Sequence, residues 1–183
     1  SCSSVFIDDV KGGQIATQHL IDLGHREIAI LSGQREAALA FDVSENRTQG
    51  YTQALADVGV EANPDLQIRG DFNVYTAELA MKSFLQRKKL PSAIFCQSDE
   101  MAFGALKAIR AKGMRVPDDI SVIGFDNHEI SEYLGLTTVA QPPQFEGQLA
   151  AAAVVAELGK KNFEKKQIRV PIDLVVRQTT AAI

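Results

Sequence analysis

The feature that most constrains this chain is a regular alternation of short apolar runs with longer segments of helical period. The runs are rich in Ile, Val and Phe, as strands buried on both faces are. They lie at residues 5–7, 28–31, 66–69, 93–96, 121–125, 136–139 and 168–176. Over the first 125 residues, this β-α-β-α order predicts an α/β fold in which a parallel sheet is flanked by helices on both faces.

Glycine residues mark the expected helix ends. Each stands where an apolar period stops, and glycine adopts the left-handed C-cap conformation without steric strain. The four are Gly24, Gly59, Gly113 and Gly159. The segment 144–157 differs from the other helical segments because its stretch 150–156 is apolar on all sides, and such a helix needs cover on most of its surface.

Composition excludes several classes of protein. The 183 residues carry 19 basic and 23 acidic side chains, well interleaved, and therefore lack the basic footprint of a nucleic-acid-binding domain. The two cysteines show no metal or redox spacing, and no apolar run is long enough to span a membrane. Catalytic and phosphate-binding motifs are also missing. We therefore expect no enzyme activity, cofactor, metal site or membrane contact.

Polar and aromatic residues follow several of the predicted strands. In open α/β sheets, ligands bind beyond the carboxyl ends of the strands. Arg47, Phe72, Ser98 and Asp126 all come after such ends and are candidate ligand contacts. The residues alone leave simpler roles open: Asp126 as a turn cap, Arg47 as a solvated residue and Phe72 as part of the core. Their convergence at one rim favours a site for a small polar ligand.

Several motifs resemble the LacI family of bacterial transcription regulators, in order and over essentially the whole chain. The most specific is VPDDISVIGFD at residues 116–126. The others are LGHR at 23–26, RTQGY at 47–51, GDF at 70–72, SDEMA at 98–102, and LVVR at 174–177 followed by TT at 179–180.

The resemblance implies a periplasmic-binding-protein-like fold of type I, mainly its C-terminal lobe. That lobe is expected at about residues 1–140 and 161–183, with a helix at about 143–160 belonging to the N-terminal lobe. A DNA-binding headpiece is expected to lie outside this chain. The effector contacts of the family carry over to Arg47, Phe72, Ser98 and Asp126. Asp99 is expected to serve as a helix N-cap.

The implied function is allosteric control of operator DNA by a small effector bound between two lobes. A carbohydrate is favoured and a nucleoside is possible. A homodimer in the cytoplasm is expected, with Phe103, Leu106 and Tyr133 as candidate interface residues. The residues alone leave open that Phe103 and Leu106 belong to the core. Two alternatives stay open at this point: a periplasmic sugar-binding protein of the same fold, and an enzyme on a flavodoxin-like sheet.

Overall fold

The computed structural model describes residues 3–33, 42–158 and 165–183. The strands are β1 (Ser4–Ile7), β2 (Ile28–Ser32), β3 (Gln67–Arg69), β4 (Ala93–Cys96), β5 (Ser121–Asp126), β6 (Thr137–Ala140), β7 (Gln167–Val170) and β8 (Asp173–Val175). The helices are α1 (Asp9–Asp22), α2 (Val43–Asp57), α3 (Val74–Phe84), α4 (Asp99–Ala111), α5 (Glu129–Tyr133) and α6 (Pro143–Glu157). This order confirms the predicted alternation.

The main sheet has six strands in the order β3-β2-β4-β5-β6-β8. Its first five strands are parallel, and β8 runs antiparallel to β6 at the edge. Leu31 lies opposite Cys96, and Phe95 lies opposite Ile123. The predicted parallel sheet is confirmed, with one antiparallel strand added. The carboxyl ends of β2, β3, β4 and β5 therefore share one edge.

The prediction of a single strand at residues 168–176 is wrong. Two strands occupy this run and belong to different sheets: β7 pairs with β1 in a separate two-stranded parallel sheet, and β8 joins the main sheet. Pro171 lies between them, and proline has no N–H with which to continue a ladder. Strands β1 and β7 therefore lie outside the main sheet.

Hydrophobic side chains pack on both faces of the main sheet. One cluster brings α3 and α4 onto the sheet through Met81, Leu85 and Ile109, which are all buried. The other brings in α1 and α2 through Leu20 and Leu55, also buried. This arrangement confirms the predicted helices on both faces and makes the sheet a rigid base for the loops at its edges.

Three of the predicted helix C-caps are confirmed by their backbone angles. Gly24, Gly59 and Gly113 have φ values of 98°, 73° and 81°, in the left-handed region. The fourth, Gly159, lies outside the described residues.

Helix α6 contains no buried residue. Val154 and Val155 are 59% and 69% exposed, although both are large and apolar. The helix lies beside β1, and its Leu149 packs against the buried cluster that also covers the main sheet. Among the described helices, none is long and apolar enough to cross a membrane.

Candidate functional site

Arg47 and Asp126 meet at the carboxyl edge of the main sheet, as the sequence predicts. Arg47 comes from the first turns of α2 and Asp126 from the last position of β5. The Arg47 Nη1 lies 3.9 Å from the Asp126 Oδ1. The edge therefore places a rigid fork of N–H donors next to a carboxylate acceptor.

The close approach of α1 and α2 holds Arg47 in position. A side chain at Gly13 would collide with the Arg47 backbone, and one at Gly50 would collide with the backbone of α1. This contact allows the Arg47 Nε to donate to the Asp9 Oδ1 at 2.8 Å. The guanidinium carbon lies 3.5 Å from the centre of the Phe125 ring, at cation–π distance. Arg47 is only 4% exposed and is fixed before any ligand arrives.

Gln97 is a site residue that the sequence analysis missed. Its buried side-chain oxygen accepts from the Gly33 N–H at 3.1 Å and from the Ser44 hydroxyl at 2.8 Å. Its amide nitrogen donates to the Ser44 carbonyl and to the Thr48 hydroxyl. The backbone carbonyl of Gln97 accepts a hydrogen bond from the Arg47 Nη1. Gln97 thus ties the ends of β2 and β4 to the start of α2. Residues 34–41, between β2 and α2, lie outside the described residues.

The Asp126 carboxyl group resists ionisation. Burial raises its pKa to about 6, and the neighbouring Asp99 carboxylate adds to the rise, while Arg47 opposes it. The Gln141 Nε2 donates to the Asp126 Oδ1 at 2.6 Å, which fixes one oxygen. A carboxylate with a raised pKa at a cleft is typical of a functional position.

Backbone strain gathers at the same edge. Within the described residues, the positive φ values outside glycine are 54° at Asp71, 51° at Phe72, 120° at Asp126 and 57° at Asn127. Such conformations are unfavourable for residues with a side chain, and they persist where the surrounding structure imposes them, often at binding sites. All four residues follow or end strands of the main sheet, which supports a functional role for this edge.

Phe72 and Ser98 also lie at this edge, and each already contacts other parts of the protein. Phe72 is half-buried and packs on the core, and its ring also contacts Gly33. Ser98 is 6% exposed, and its hydroxyl oxygen accepts from the Met101 N–H at 3.2 Å as the N-cap of α4. The Ser98 hydroxyl hydrogen can still be donated elsewhere.

The expectation that Asp99 is the N-cap is wrong. Helix α4 begins at Asp99 itself, and its carboxylate points into the protein, where the residue is fully buried. The Asp99 Oδ2 accepts from the His128 N–H at 2.8 Å and from the Ser131 hydroxyl at 2.5 Å. The Asp99 Oδ1 accepts from the Thr138 hydroxyl at 2.6 Å. Burial raises the pKa of Asp99, and these three hydrogen bonds oppose the rise. Asp99 therefore anchors the segment that follows Asp126.

A cavity of about 660 Å³ opens beside Asp126, between the carboxyl ends of β5 and β6 and the start of α6. Its volume is in the range of small-molecule sites. Its lining includes Asp126, Asn127, His128, Gln141, Phe145 and Gln148. The described residues contain no cluster of His, Cys, Asp and Glu that could hold a metal ion.

The three candidate interface residues differ in exposure. Tyr133, at the end of α5, is 88% exposed. Phe103 is partly buried and contacts the His128 ring edge to face, with centroids 5.8 Å apart. Leu106 is only 2% exposed and packs in the core of its own chain, because it lies on the face of α4 that meets the sheet. Leu106 is therefore withdrawn as an interface residue.

The fold and the polar edge of its sheet define a class of ligand-binding protein, and comparison with known proteins agrees. Residues 17–180 match the family described as periplasmic binding protein-like domain. The chain is 40% identical over 171 residues to the transcriptional repressor PurR of Vibrio campbellii, covering 92% of this chain and 50% of that protein. Against PurR of Vibrio cholerae, the identity is 37% over 171 residues, with the same coverage. The chain belongs to the LacI family of transcriptional regulators, as a periplasmic binding protein-like domain.

Solved structures of the same family superimpose closely. The transcriptional regulator CelR in complex with cellobiose has a TM-score of 0.89 at 34% identity, covering 97% of this chain and 54% of that chain. A LacI-family regulator from Enterococcus faecium with bound ribose has a TM-score of 0.88 at 28% identity, covering 99% of this chain and 66% of that chain. The chain spans about half the length of the curated relatives that it matches.

Proposed function

We propose that this chain is the ligand-sensing part of a LacI-type regulator and that it binds a small polar effector, a sugar or sugar derivative, beside Arg47 and Asp126. The observation that carries this proposal is the 3.9 Å approach of the two side chains. A donor fork next to a carboxylate matches a pair of adjacent hydroxyls, each of which donates and accepts. The structural relatives with cellobiose and ribose support a carbohydrate.

Phe72 and Ser98 would complete the contacts. The Ser98 hydroxyl still has a hydrogen to donate, although its oxygen caps α4. The Phe72 ring, held in a strained backbone conformation at the edge, offers an apolar surface for the C–H face of a sugar. Together the four residues would supply polar groups for orientation and one flat apolar contact.

Helix α6 would belong to a second lobe, on the other side of the cleft. Its exposed apolar side chains would then be covered, and the cavity beside Asp126 would lie between the lobes. An effector that contacts both lobes favours the closed form by its differential affinity for that form. Coupling of this kind is typically about 1–3 kcal/mol.

The regulator would act as a cytoplasmic homodimer that binds operator DNA through a headpiece outside this chain. The exposed Tyr133 and the partly exposed Phe103 support a dimer surface on α4 and α5. On the neighbouring α3, Tyr75 and Leu79 are 66% and 47% exposed and would extend this surface.

A nucleoside or nucleobase is the second candidate for the effector. The most specific support is the 40% identity to a repressor named PurR, which exceeds the 34% identity to the cellobiose-bound CelR. The Phe72 ring would stack on a base in this case.

Thermal shift on the intact regulator tests the proposal, with cellobiose, ribose, adenosine and hypoxanthine as probes. At least one probe should raise the melting temperature of the wild type. Arg47→Met should abolish that rise, while Arg110→Met, which removes an exposed arginine of α4, should leave it unchanged. An Arg47→Met protein that still responds like the wild type would contradict the assigned site.

A further inference from the structure

We propose that Gln97 is a positioning residue for effector binding: its buried amide holds the turn of α2 that carries Arg47 and thereby sets the affinity of the site for its ligand. This inference rests on the proposed function, because it concerns the same guanidinium. Its basis is a helix that starts without a side-chain cap, together with an amide group whose hydrogen-bonding capacity is used entirely at that helix start.

Helix α2 begins without a side-chain cap. Its N-cap residue, Asp42, makes no capping hydrogen bond to the N–H groups of the described first turn. In contrast, the side chains of Asp8, Asn73 and Ser98 cap the starts of α1, α3 and α4. A helix start that lacks such a bond depends on other contacts for its position. Since Arg47 lies in the first turns of α2, these contacts also place its guanidinium.

The Gln97 side chain holds this helix start from the end of β4. Its nitrogen donates to the Ser44 carbonyl at 2.9 Å and to the Thr48 hydroxyl at 2.8 Å, and its oxygen accepts from the Ser44 hydroxyl at 2.8 Å. Ser44 and Thr48 are one helical turn apart, and Arg47 lies between them. With the Gly33 N–H as a fourth partner, the amide uses both N–H groups and both lone pairs. Gln97 is fully buried, so water cannot replace these bonds.

The main sheet gives Gln97 a fixed position from which to act. The Gln97 N–H donates to the Leu31 carbonyl at 3.0 Å, which continues the pairing of β4 with β2. The Gln97 carbonyl accepts from the Arg47 Nη1, while Asp9 and the Phe125 ring hold other parts of the same guanidinium. One residue therefore restrains both the helical turn that carries Arg47 and the tip of its side chain.

This restraint should matter for binding because a binding group has to be held in place to within about 0.5 Å. Without the four amide bonds, the first turn of α2 could move relative to the sheet. The Arg47 guanidinium would then shift relative to Asp126, whose carboxylate lies 3.9 Å away. Arg47 would have to become ordered on binding, and the entropy cost of that ordering would reduce the affinity.

Two threonines of α2 offer a matched test by calorimetry on the intact regulator. The ligand is whichever of cellobiose, ribose, adenosine and hypoxanthine stabilises the wild type most. The Thr48 and Thr52 hydroxyls both donate to the carbonyl four residues earlier, and Thr48 also accepts from Gln97. Thr48→Val should weaken binding about threefold to tenfold, whereas Thr52→Val should stay within about twofold of the wild type. Equal affinities of the two variants would overturn the inference.

A double-mutant cycle tests whether Gln97 acts through Arg47. Gln97→Met removes the four side-chain bonds with little change in volume and should weaken binding at least about tenfold. In an Arg47→Lys background, the same substitution should weaken binding less than about threefold, because the planar fork that Gln97 positions is already absent. Equal losses in both backgrounds would overturn a role through Arg47.

Thr179→Val controls for a general loss of stability. The buried Thr179 hydroxyl donates to the Val122 carbonyl at 2.7 Å and accepts from the Thr137 N–H at 2.9 Å, near the starts of β5 and β6. This variant should lower the melting temperature and leave the affinity unchanged. If it weakens binding as much as Gln97→Met does, the effect of Gln97 is one of stability and the inference is overturned.

The remaining outcomes separate this inference from the proposed function. If Arg47→Met loses binding while the Gln97 and Thr48 variants bind like the wild type, only this inference fails. If Arg47→Met itself binds like the wild type, the proposed site fails and the inference fails with it. If Gln97→Met does not fold, the comparison of Thr48→Val with Thr52→Val decides.

Discussion

Replacing Asp126 by asparagine measures how much the carboxylate charge at the edge of the sheet lowers the free energy of unfolding. The Asp126 side chain is 31% exposed, and burial raises its pKa from 3.8 to about 6 in spite of the nearby Arg47. Asparagine has the same shape as the protonated acid and carries no charge. Its side-chain oxygen can also keep the hydrogen bond from Gln141. The variant therefore removes the charge and little else.

The sign of the effect follows from the direction of the pKa shift. Since the folded pKa lies above the unfolded pKa, Asp126 contributes most to stability below the unfolded value of 3.8, and this contribution is lost as the pH rises through about 6. A rise of about two pKa units corresponds to about 3 kcal/mol, of which about 2 kcal/mol falls between about pH 4.5 and pH 7. Partial exposure of the side chain screens the charge, so we expect about 1–2 kcal/mol.

Urea unfolding at about pH 4.5 and about pH 7, followed by circular dichroism, checks this expectation. Relative to wild type, Asp126→Asn should be more stable by about 1–2 kcal/mol at the higher pH than at the lower pH, because only the wild type loses stability as the carboxyl group ionises. Asp65→Asn, which changes an exposed residue in the turn before β3, should show no such difference. An equal effect of Asp126→Asn at both pH values would refute the claim that the charged form is disfavoured.

Four further predictions concern the site and its supports. Arg47→Lys keeps the charge but loses the planar fork, and we expect at least a tenfold loss of effector affinity, on the order of 1–2 kcal/mol, by calorimetry. Asp99→Asn places an N–H2 group among hydrogen-bond donors and should lower the free energy of unfolding by about 1–3 kcal/mol in urea titrations. Gly50→Ala should separate α1 from α2, lowering both the melting temperature and effector affinity. Tyr133→Arg should leave the unfolding free energy within about 0.5 kcal/mol and shift the dimer towards monomer in sedimentation; an unchanged dimer would remove α5 from the interface.

The main sheet and the candidate site at its carboxyl edge are predictable because they follow from local pattern and a topological rule. Apolar runs between amphipathic segments fix parallel strands, and parallel strands bring their carboxyl ends to one edge. Arg47 and Asp126 are far apart in the chain, yet they lie 3.9 Å from each other for this reason. The apolar pattern and this topological rule are enough to place both residues at the carboxyl edge.

Hydrogen-bond networks between distant segments were not predictable. An acidic residue at a helix start predicts an N-cap for Asp99, but its carboxylate accepts hydrogen bonds from Ser131 and Thr138, 32 and 39 residues away. Hydrophobic period locates a helix start only to within a residue or two, so it does not separate the capping residue from the next. The role of Gln97 is not predictable for the same reason, since its partners are Gly33, which follows β2, and Ser44 on α2.

Two other errors had signals in the sequence. Pro171 interrupts the run 168–176 and argues for two strands, since a proline inside a strand removes a ladder donor. Leu106 belongs to the apolar face of α4, where Met101, Ala105 and Ile109 are also buried, and that periodicity indicates core packing. Of the two roles that the sequence leaves open for Leu106, its burial favours the core.

The most direct test of the account is a crystal structure of the intact regulator with the ligand that stabilises it most. We predict that the ligand lies within hydrogen-bond distance of the Arg47 guanidinium and of an Asp126 oxygen, with α6 on its other side. A competing location is the groove of about 330 Å³ that is lined by residues of α1, α2 and β8, among them Lys11, His19 and Leu174. A ligand found there, with Arg47 and Asp126 untouched, would contradict the assignment of the site.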